Sequence, residues 1–274
     1  MGEPKQKVLN VGIAGLGTVG LPVARWLDEK PEGLVLAAVS AGNRERACQR
    51  IGGFQNSVPV VELAELADLC DVVVECAPPG HFLDIAEATL RAGRILMPLS
   101  VTSLLKHMDL VDLARQTGGR IIVPTGAIMG LDAVRAAALG TIHSVTMITR
   151  KPPSGLKKAP FVIEQGFDLE NLQEAILLYE GPVSEAAAKF PANVNVAVAL
   201  SLAGIGPDKT QYQVWADPEV TRNTHVIKVD ADTASFEMTM ANVPTEENPA
   251  TGKIVCLSVI ETLRGLVTPF KVGT

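Results

Sequence analysis

Gly15-Leu16-Gly17-Thr18-Val19-Gly20 follows an apolar run at residues 8–14 and precedes a helix-like segment at residues 21–29. In this spacing the first glycine permits a tight turn, the second leaves room for a pyrophosphate, and the third lets helix and strand pack closely. Backbone N–H groups at the start of the helix then point at the anion. The pattern predicts that these six residues bind a dinucleotide.

The end of the second predicted strand, at residues 34–39, bears on which dinucleotide is bound. It continues as Ser40-Ala41-Gly42-Asn43-Arg44, whereas NAD-specific folds usually place an Asp or Glu about 20 residues beyond the glycines. No carboxylate is there to repel a 2′-phosphate, and Arg44 is near enough to pair with one. We therefore expect both NAD and NADP as cofactors, with Ser40 or Asn43 hydrogen-bonding an unphosphorylated ribose. The alternative is that Arg44 and Arg46 only begin the next helix in solvent.

The composition is typical of a two-domain enzyme that works in solution. The 274 residues are 47% hydrophobic but only 4% aromatic, so the core must consist of Val, Leu, Ile and Ala, as in buried parallel sheets. The net charge of −6 argues against nucleic acid or an anionic membrane as a partner. No signal-peptide cleavage site follows the N-terminus, and the apolar stretch at residues 194–205 is too short to span a bilayer, which predicts a cytoplasmic protein. The cysteine spacing predicts no metal site.

Strand-like and helix-like segments alternate through residues 1–125. The predicted elements are strands at 72–76, 95–97 and 121–124 and helices at 82–91 and 104–116. This alternation predicts an α/β fold with an N-terminal Rossmann-type domain, a doubly wound parallel sheet with right-handed crossovers. The carboxyl ends of the strands share one edge, so residues 75–79, with Ala77 among them, are expected to border the cofactor.

The pattern changes in residues 126–248, where period-two alternation dominates. The predicted elements are strands at 144–149, 161–164, 211–216, 225–229 and 235–240 and helices at 169–178 and 194–203. They predict a smaller α+β domain for substrate binding and dimerisation, because an uncovered sheet face needs a partner, most simply in a homodimer. Residues 249–274 contain a final helix at 252–266 that we expect to pack back on the first domain.

If the first domain holds a hydride carrier, the second must supply a proton-transfer group. Histidine is the natural candidate near neutral pH, and the chain has four. Three of them, His81, His107 and His143, lie at a helix start or at surface positions. His225 begins a strand and shares a face with Ile227, so it is expected to project from the inner side of the domain. Spacing alone leaves a structural core histidine equally open.

Four further motifs follow one another along the chain. They are Gly126-Ala127-Ile128-Met129-Gly130-Leu131-Asp132-Ala133, Thr149-Arg150-Lys151-Pro152-Pro153, Phe190-Pro191-Ala192-Asn193-Val194-Asn195-Val196-Ala197 and Asn223-Thr224-His225. Together they resemble the bacterial L-aspartate dehydrogenases. The resemblance implies oxidation of L-aspartate to iminoaspartate with NAD or NADP, in a dimer of two-domain chains. It also implies that His225 is the active-site histidine and that Ala127 and Asn195 bind the nicotinamide end of the cofactor.

A dicarboxylic substrate such as L-aspartate needs cationic partners. Arg150 and Lys151 end a strand ahead of two prolines, and an arginine fork suits a carboxylate, although a solvated basic pair is the alternative. We expect hydride transfer from the substrate Cα, with His225 as general base, and hydrolysis of the imine to oxaloacetate and ammonium. Because iminoaspartate is also the precursor of quinolinate, the resemblance implies a link to NAD biosynthesis and leaves aspartate catabolism open.

Other classes of protein with the same fold make different demands on the sequence. A semialdehyde dehydrogenase needs a nucleophilic cysteine at the interdomain turn, and Thr125-Gly126-Ala127 offers none. A homoserine-type dehydrogenase or related reductase shares the fold and the hydride chemistry, so only the substrate distinguishes it. A non-catalytic dinucleotide sensor would bind cofactor without turnover and would not need His225.

Overall fold

The computed structural model of the chain describes residues 8–29, 31–191 and 194–273. The chain forms two compact units. The first runs to Pro124 and includes Cys256–Val272, and the second is Thr125–Val255. The sequence prediction divided the chain at 125/126 and at 248/249. None of the described helices is long and apolar enough to cross a membrane.

The first unit is built on a five-stranded sheet in the order β2-β1-β3-β4-β5, with every pairing parallel. Its strands are β1 Leu9–Ala14, β2 Leu34–Ser40, β3 Val72–Glu75, β4 Ile95–Pro98 and β5 Arg120–Ile121. Val60 adds an isolated parallel bridge to Val39 in β2. The order reverses beside β1, so the carboxyl ends of β1 and β3 form the switch point at which such sheets bind ligands.

Helices cover both faces of this sheet. They are α1 Gly20–Asp28, α2 Arg44–Ile51, α3 Leu66–Leu69, α4 Phe82–Arg91, α5 Val101–Leu105, α6 Leu110–Thr117 and, from the C-terminal segment, α11 Ile254–Arg264. Val72 and Val74 belong to the same core cluster as Val259 and Leu263 of α11. Val73 lies in a second cluster with residues of α4 and α6. Burial of successive β3 residues in different clusters explains the continuous apolar run of that strand.

Two predicted elements of the first unit differ from the structure. The predicted helix at 104–116 is two helices, α5 and α6, separated by turns at residues 106–109. The predicted strand at 121–124 is shorter in the structure: β5 is Arg120–Ile121, and the Ile122 N–H donates a 2.9 Å hydrogen bond to the Leu96 carbonyl oxygen of β4. Pro124 has no N–H for a ladder, which limits how far a strand can continue through it.

The second unit is built on a mixed sheet in the order β10-β9-β6-β8-β7. Its strands are β6 Ile142–Lys151, β7 Ile176–Pro182, β8 Gln211–Ala216, β9 Thr224–Ala231 and β10 Ser235–Ala241. Only β6 and β8 pair in parallel, and the other neighbours are antiparallel. The predicted fold, a parallel α/β sheet followed by a mixed-sheet α+β domain, is confirmed.

The helices of the second unit correct two predictions. They are α7 Leu131–Ala137, α8 Pro160–Glu164, α9 Val183–Lys189 and α10 Asn195–Ala203. The predicted strand at 161–164 is the helix α8, which begins at Pro160. Proline is favourable at the first position of a helix, because the N–H of that position has no partner within the helix. The predicted helix at 169–178 is wrong, because residues from Ile176 onward pair with β8 as β7. The local apolar pattern is too short to distinguish a helix from a strand, and pairing with β8 decides the outcome.

The two faces of the second sheet differ in burial. On the inner face, Val145, Met147, Tyr212, Val214 and Ile227 are all buried. On the outer face, alternate residues of the same strands remain half-buried or exposed. This sheet therefore has one face packed into the unit and one face that the unit itself leaves open.

Candidate active site

The glycine loop after β1 has the geometry that its spacing predicts. Gly15 has a φ of +100°, and a Cβ there would lie 2.5 Å from the Cys76 carbonyl oxygen. A Cβ on Gly20 would lie 1.9 Å from the Gly15 carbonyl oxygen, so this glycine allows helix α1 to start against the turn. Among the residues that the structure describes, nothing lies within 4 Å of a Cβ built on Gly17. Two of the glycines are therefore required by the protein's own packing, while Gly17 faces open space.

That open space fits a phosphate group. Val19 lies at the N-cap of α1 and its side chain makes no capping hydrogen bond. A bound anion can therefore accept hydrogen bonds from the N–H groups at the start of this nine-residue helix. Gly17 is the exposed residue of the loop, whereas Leu16 is buried and Thr18 and Val19 are half-buried. The chain's own residues thus fit the pyrophosphate of a dinucleotide.

Residues 40–44 connect the end of β2 to the first residue of α2. Ser40 is buried, and its carbonyl oxygen accepts a 2.7 Å hydrogen bond from the Gly15 N–H. Arg44 is exposed as the first residue of α2, after Asn43, whose side chain caps the helix. Arg50 donates a short hydrogen bond to the Leu16 carbonyl oxygen. Arg50 was not predicted from the sequence, although its position on the same helix as Arg44, after the strand predicted to end near the ribose, was a usable signal.

Ala77 is held in place by a buried carboxylate. Glu75, fully buried at the end of β3, accepts hydrogen bonds of 3.0 Å from both the N–H and the hydroxyl of Ser100. Burial raises the pKa of Glu75, while these bonds and the N–H groups of Leu99 and Ala77 act in the opposite direction. The carboxylate therefore ties together the loops that follow β3 and β4, at the edge predicted to border the cofactor.

His225 lies on the inner face of the second sheet. The pairing of β6 with β9 places Thr149 opposite His225, and the Thr149 Oγ1 lies 2.9 Å from the His225 Nδ1. His225 is only 3% exposed. Burial, and then the charge of Lys151, lower its pKa to about 3. The imidazole is therefore neutral at physiological pH.

Arg150 and Lys151 point to opposite faces of β6. Lys151 is 5% exposed on the same face as Thr149, and burial lowers its pKa to about 8. Arg150 lies on the outer face, where it makes a 3.0 Å ion pair with Asp217 and stacks over Trp215. Of the two predicted cations, only Lys151 shares a face with His225, because side chains alternate along a strand.

The Gly126–Gly130 turn and the start of α10 carry the residues predicted to meet the nicotinamide. Gly126 and Gly130 have φ values of +66° and +79°. The Ala127 carbonyl oxygen accepts a 2.9 Å hydrogen bond from the buried Asn242 side chain, which fixes the turn. Asn195 is the first residue of α10, with Val194 at the cap position, so it does not serve as the helix cap.

Two buried polar residues of the second sheet were not predicted from the sequence. Thr149 contacts the imidazole directly, and Tyr212 is a fully buried phenol on the neighbouring strand β8. The period-two pattern of residues 144–149 could have placed Thr149 on the inner face. Its partner on β9 could not be identified without the strand order and register.

Comparisons with known proteins agree with this architecture. A family model described as "Homoserine dehydrogenase, NAD binding domain" matches residues 15–124, and one described as "Aspartate dehydrogenase, C-terminal" matches residues 132–266. An L-aspartate dehydrogenase of Bradyrhizobium diazoefficiens is 51% identical over 97% of this chain and 94% of its own. L-aspartate dehydrogenase 3 of Bordetella bronchiseptica is 49% identical over 97% of this chain and 98% of its own.

This chain belongs to the L-aspartate dehydrogenase family. The resemblance found in four sequence motifs is thereby confirmed. The crystal structure of the Thermotoga maritima aspartate dehydrogenase has the same fold, with a TM-score of 0.73, 23% identity, and coverage of 97% of this chain and 99% of that one. As a member of the family, the protein is an oxidoreductase that uses a nicotinamide dinucleotide and a small-molecule substrate.

Substitutions at Gly17 and Gly20 separate an effect on protein stability from an effect on dinucleotide binding. We expect Gly20→Ala to lower the free energy of unfolding by about 1–3 kcal/mol, because its Cβ overlaps the Gly15 carbonyl oxygen. Gly17→Ala should leave unfolding unchanged but weaken dinucleotide binding, because the methyl group occupies the space for the pyrophosphate. Urea denaturation and calorimetric titration with NAD and NADP measure the two effects. Equal destabilisation by both variants would contradict this division of roles.

Proposed function

We propose that this protein oxidises L-aspartate to iminoaspartate with NAD or NADP, and that the imine hydrolyses to oxaloacetate and ammonium. The observation that carries the proposal is the buried pair of His225 and Lys151 on one sheet face. It occurs in a chain about half identical to proteins named for this activity. The imidazole offers a hydrogen-bonding group for the reacting end of an amino acid, and the ammonium offers a counter-charge for a carboxylate.

The reaction balances with few demands on the protein. A bound nicotinamide ring would supply the acceptor for the hydride that leaves the substrate Cα with both electrons of the C–H bond. The lone pair of the neutral substrate amine then forms the C=N bond, and the resulting iminium loses a proton to give the imine. Water adds to the same carbon, and ammonia leaves. The residues of this chain must therefore bind a neutral amine form, hold two carboxylates and manage protons near Cα.

We assign the cofactor to Gly15–Gly20, Ser40, Arg44, Ala77, Ala127 and Asn195. Gly17 supports this assignment because it leaves space at the loop, and Ser40 because its carbonyl oxygen holds the Gly15 N–H. Residues 40–44 include no carboxylate, which supports use of both NAD and NADP.

Within the same proposal, His225 is the catalytic residue and enters the reaction as a neutral imidazole. Lys151 holds a substrate carboxylate. Its pKa of about 8 keeps most of it protonated at pH 7. Arg150 was the other predicted cation, and its ion pair with Asp217 on the opposite strand face argues against this role.

We also propose that the protein is a homodimer formed through the outer face of the second sheet. Half-buried Ile148, Trp215 and Val226 lie together on that face, which the unit leaves uncovered. A second copy would remove these apolar side chains from water. Sedimentation at the mass of one chain, 28.9 kDa, at micromolar concentration would contradict the dimer.

The activity is tested by following NADH or NADPH formation with L-aspartate, D-aspartate, glutamate, alanine and homoserine. We expect L-aspartate to give the highest kcat/KM. His225→Ala should lower turnover by about 100-fold or more, as loss of a proton-handling group does, with unchanged dinucleotide affinity. The control is His143→Ala, since His143 is exposed at the start of β6.

Other outcomes of that screen identify the alternatives. Preference for homoserine would indicate a homoserine-type dehydrogenase. Dinucleotide binding without turnover of any amino acid would indicate a sensor, and full activity of His225→Ala would refute the catalytic assignment.

The role of Lys151 predicts a pH dependence of substrate binding. Burial lowers the pKa of a lysine, so its positive charge is present below pH about 8 and is lost as the pH rises through that value. We expect KM for L-aspartate to rise above this pH in the wild type. In Lys151→Arg the guanidinium stays charged, so the rise should move to higher pH, while Lys228→Arg on the exposed face should not change it. An identical KM profile in wild type and Lys151→Arg would contradict the assignment.

The end of β2 predicts a selective effect on NADP. Ser40→Asp introduces a carboxylate beside the proposed ribose site, and repulsion of the 2′-phosphate should lower kcat/KM with NADP by about tenfold or more. Activity with NAD should be kept. Ser40→Asn is the uncharged control of the same size. Equal losses with both cofactors would show that Ser40 is not at the ribose.

A further inference from the structure

Asn242 is a buried polar residue to which the proposed reaction gives no role. It directly follows β10, and it is only 5% exposed. Met240 pairs with His225 across β10 and β9, and Asn242 lies two residues beyond Met240. The Asn242 N–H continues this ladder with a 2.9 Å hydrogen bond to the Asn223 carbonyl oxygen. Since residues two apart on a strand share a face, the Asn242 side chain projects from the same inner face as His225.

The orientation of the Asn242 amide is determined by the group that it contacts. Its Nδ2 donates a 2.9 Å hydrogen bond to the Ala127 carbonyl oxygen. A carbonyl oxygen can only accept, so the flipped amide would place two oxygens against each other. Gly252 packs against the side chain, because a Cβ there would lie 3.1 Å from the Asn242 Cβ and 3.3 Å from its Cγ. The amide is therefore held with its nitrogen towards Ala127 and its oxygen directed elsewhere.

The Asn242 Oδ1 lacks the hydrogen bond that a buried acceptor needs. It is closed off from solvent, and no donor within residues 8–29, 31–191 and 194–273 pairs with it. An amide oxygen accepts up to two hydrogen bonds, and leaving it unpaired when buried costs free energy. Native proteins rarely leave such an atom without a partner. The Oδ1 therefore indicates a donor that comes from outside the chain.

The surroundings of Asn242 indicate the chemistry of this donor. Ala127, bonded to the same amide, is proposed to meet the nicotinamide, and His225 on the same face is proposed to meet the reacting end of the substrate. The nicotinamide carries a carboxamide NH₂ group, and the substrate carries an amino group on the carbon that loses the hydride. Both are N–H donors, which suit an amide oxygen. A carboxylate, by contrast, has only acceptors to offer it.

We infer that Asn242 is a ligand-binding residue whose Oδ1 accepts a hydrogen bond from an N–H group, either of the nicotinamide carboxamide or of the substrate amine. This inference rests on the proposed function for the substrate and for the role of Ala127. One amide then binds the ligand through its oxygen and the Ala127 turn through its nitrogen, so their positions are set together. Met240, half-buried opposite His225, has an unbranched side chain that we expect to move when the ligand enters.

The carboxamide is tested by comparing two dinucleotides on the full-length protein. NAD and 3-acetylpyridine adenine dinucleotide have nearly the same shape, but the second carries a methyl group in place of the carboxamide NH₂. If the carboxamide is the donor, the wild type should bind NAD more tightly. Asn242→Ala should reduce this preference by about 3- to 10-fold, the usual effect of losing one hydrogen bond. Calorimetric titration of both dinucleotides into both proteins measures the change.

The substrate amine is tested on the protein with bound NADH, which cannot oxidise an amino acid. L-Aspartate and succinate carry the same two carboxylates, and only L-aspartate has an amine. If this amine is the donor, Asn242→Ala should reduce the preference for L-aspartate over succinate by about 3- to 10-fold. The preference for NAD over the acetylpyridine analogue should then stay as it is. A reduced preference in either comparison supports the inference and identifies the donor.

A merely structural role of Asn242 predicts a different result. If the residue only fixed the Ala127 turn, Asn242→Ala would weaken the binding of both members of each ligand pair by the same factor. Both preferences would then equal those of the wild type, and this outcome would overturn the inference. Asn171→Ala is the control, since Asn171 is an exposed asparagine of the same unit and its replacement should change neither preference.

A crystal structure of the wild-type protein with NADH and L-aspartate decides the question if Asn242→Ala does not fold. We expect a ligand nitrogen within about 3.2 Å of the Asn242 Oδ1. A water molecule, a ribose hydroxyl or no donor at that position would overturn the inference. The proposed function fails separately: a preference for NAD that depends on Asn242, without turnover of L-aspartate, would refute the proposed function and support the inference. Turnover of L-aspartate with both preferences unchanged would do the reverse.

Discussion

The candidate site depends on the register between β6 and β9. Thr149 pairs with His225 and Met147 with Ile227, so the polar pair continues a face whose other members are core residues. A shift of one residue would turn Thr149 and Lys151 outward and bring Arg150 inward, because side chains alternate with period two. Burial of the apolar residues on that face therefore fixes the positions of the polar ones. In this sheet, the burial that stabilises the fold also determines which polar side chains lie on the inner face.

The two units present their functional groups in different ways, and this decides what the sequence could reveal. Gly15, Gly17 and Gly20 act through backbone conformation and open space within a few residues of one another, so their spacing alone predicted the loop. The His225 site joins side chains from different strands, and Thr149 lies 76 residues from His225 in sequence. The alternation around His225 placed it on the inner face, but no local signal could name its partner.

The errors in the predicted elements have the same origin. Residues 161–164 and 169–178 are short apolar stretches whose state depends on what they pack against. The first forms a helix whose Phe161 ring lies 5.4 Å from that of Phe190, and the second contributes the edge strand β7. Regular elements buried on both sides, such as β1 and β3, were predicted well because their apolar runs and flanking turns leave few alternatives. Arg150 and Lys151 show the same limit, since adjacent basic residues on a strand look equivalent until the buried face is known.

Burial of Lys151 on the face that carries His225 makes the charge of the lysine sensitive to what lies beside it. A desolvated ammonium is costly, and its charge also disfavours protonation of the imidazole. A substrate carboxylate placed against Lys151 would raise the pKa of the lysine, since an opposite charge favours the charged form. Substrate binding and protonation of Lys151 are then coupled, and each favours the other. A neutral ligand of the same size would gain nothing from this coupling, so under the proposed function the burial of Lys151 favours a dicarboxylic amino acid over a neutral one.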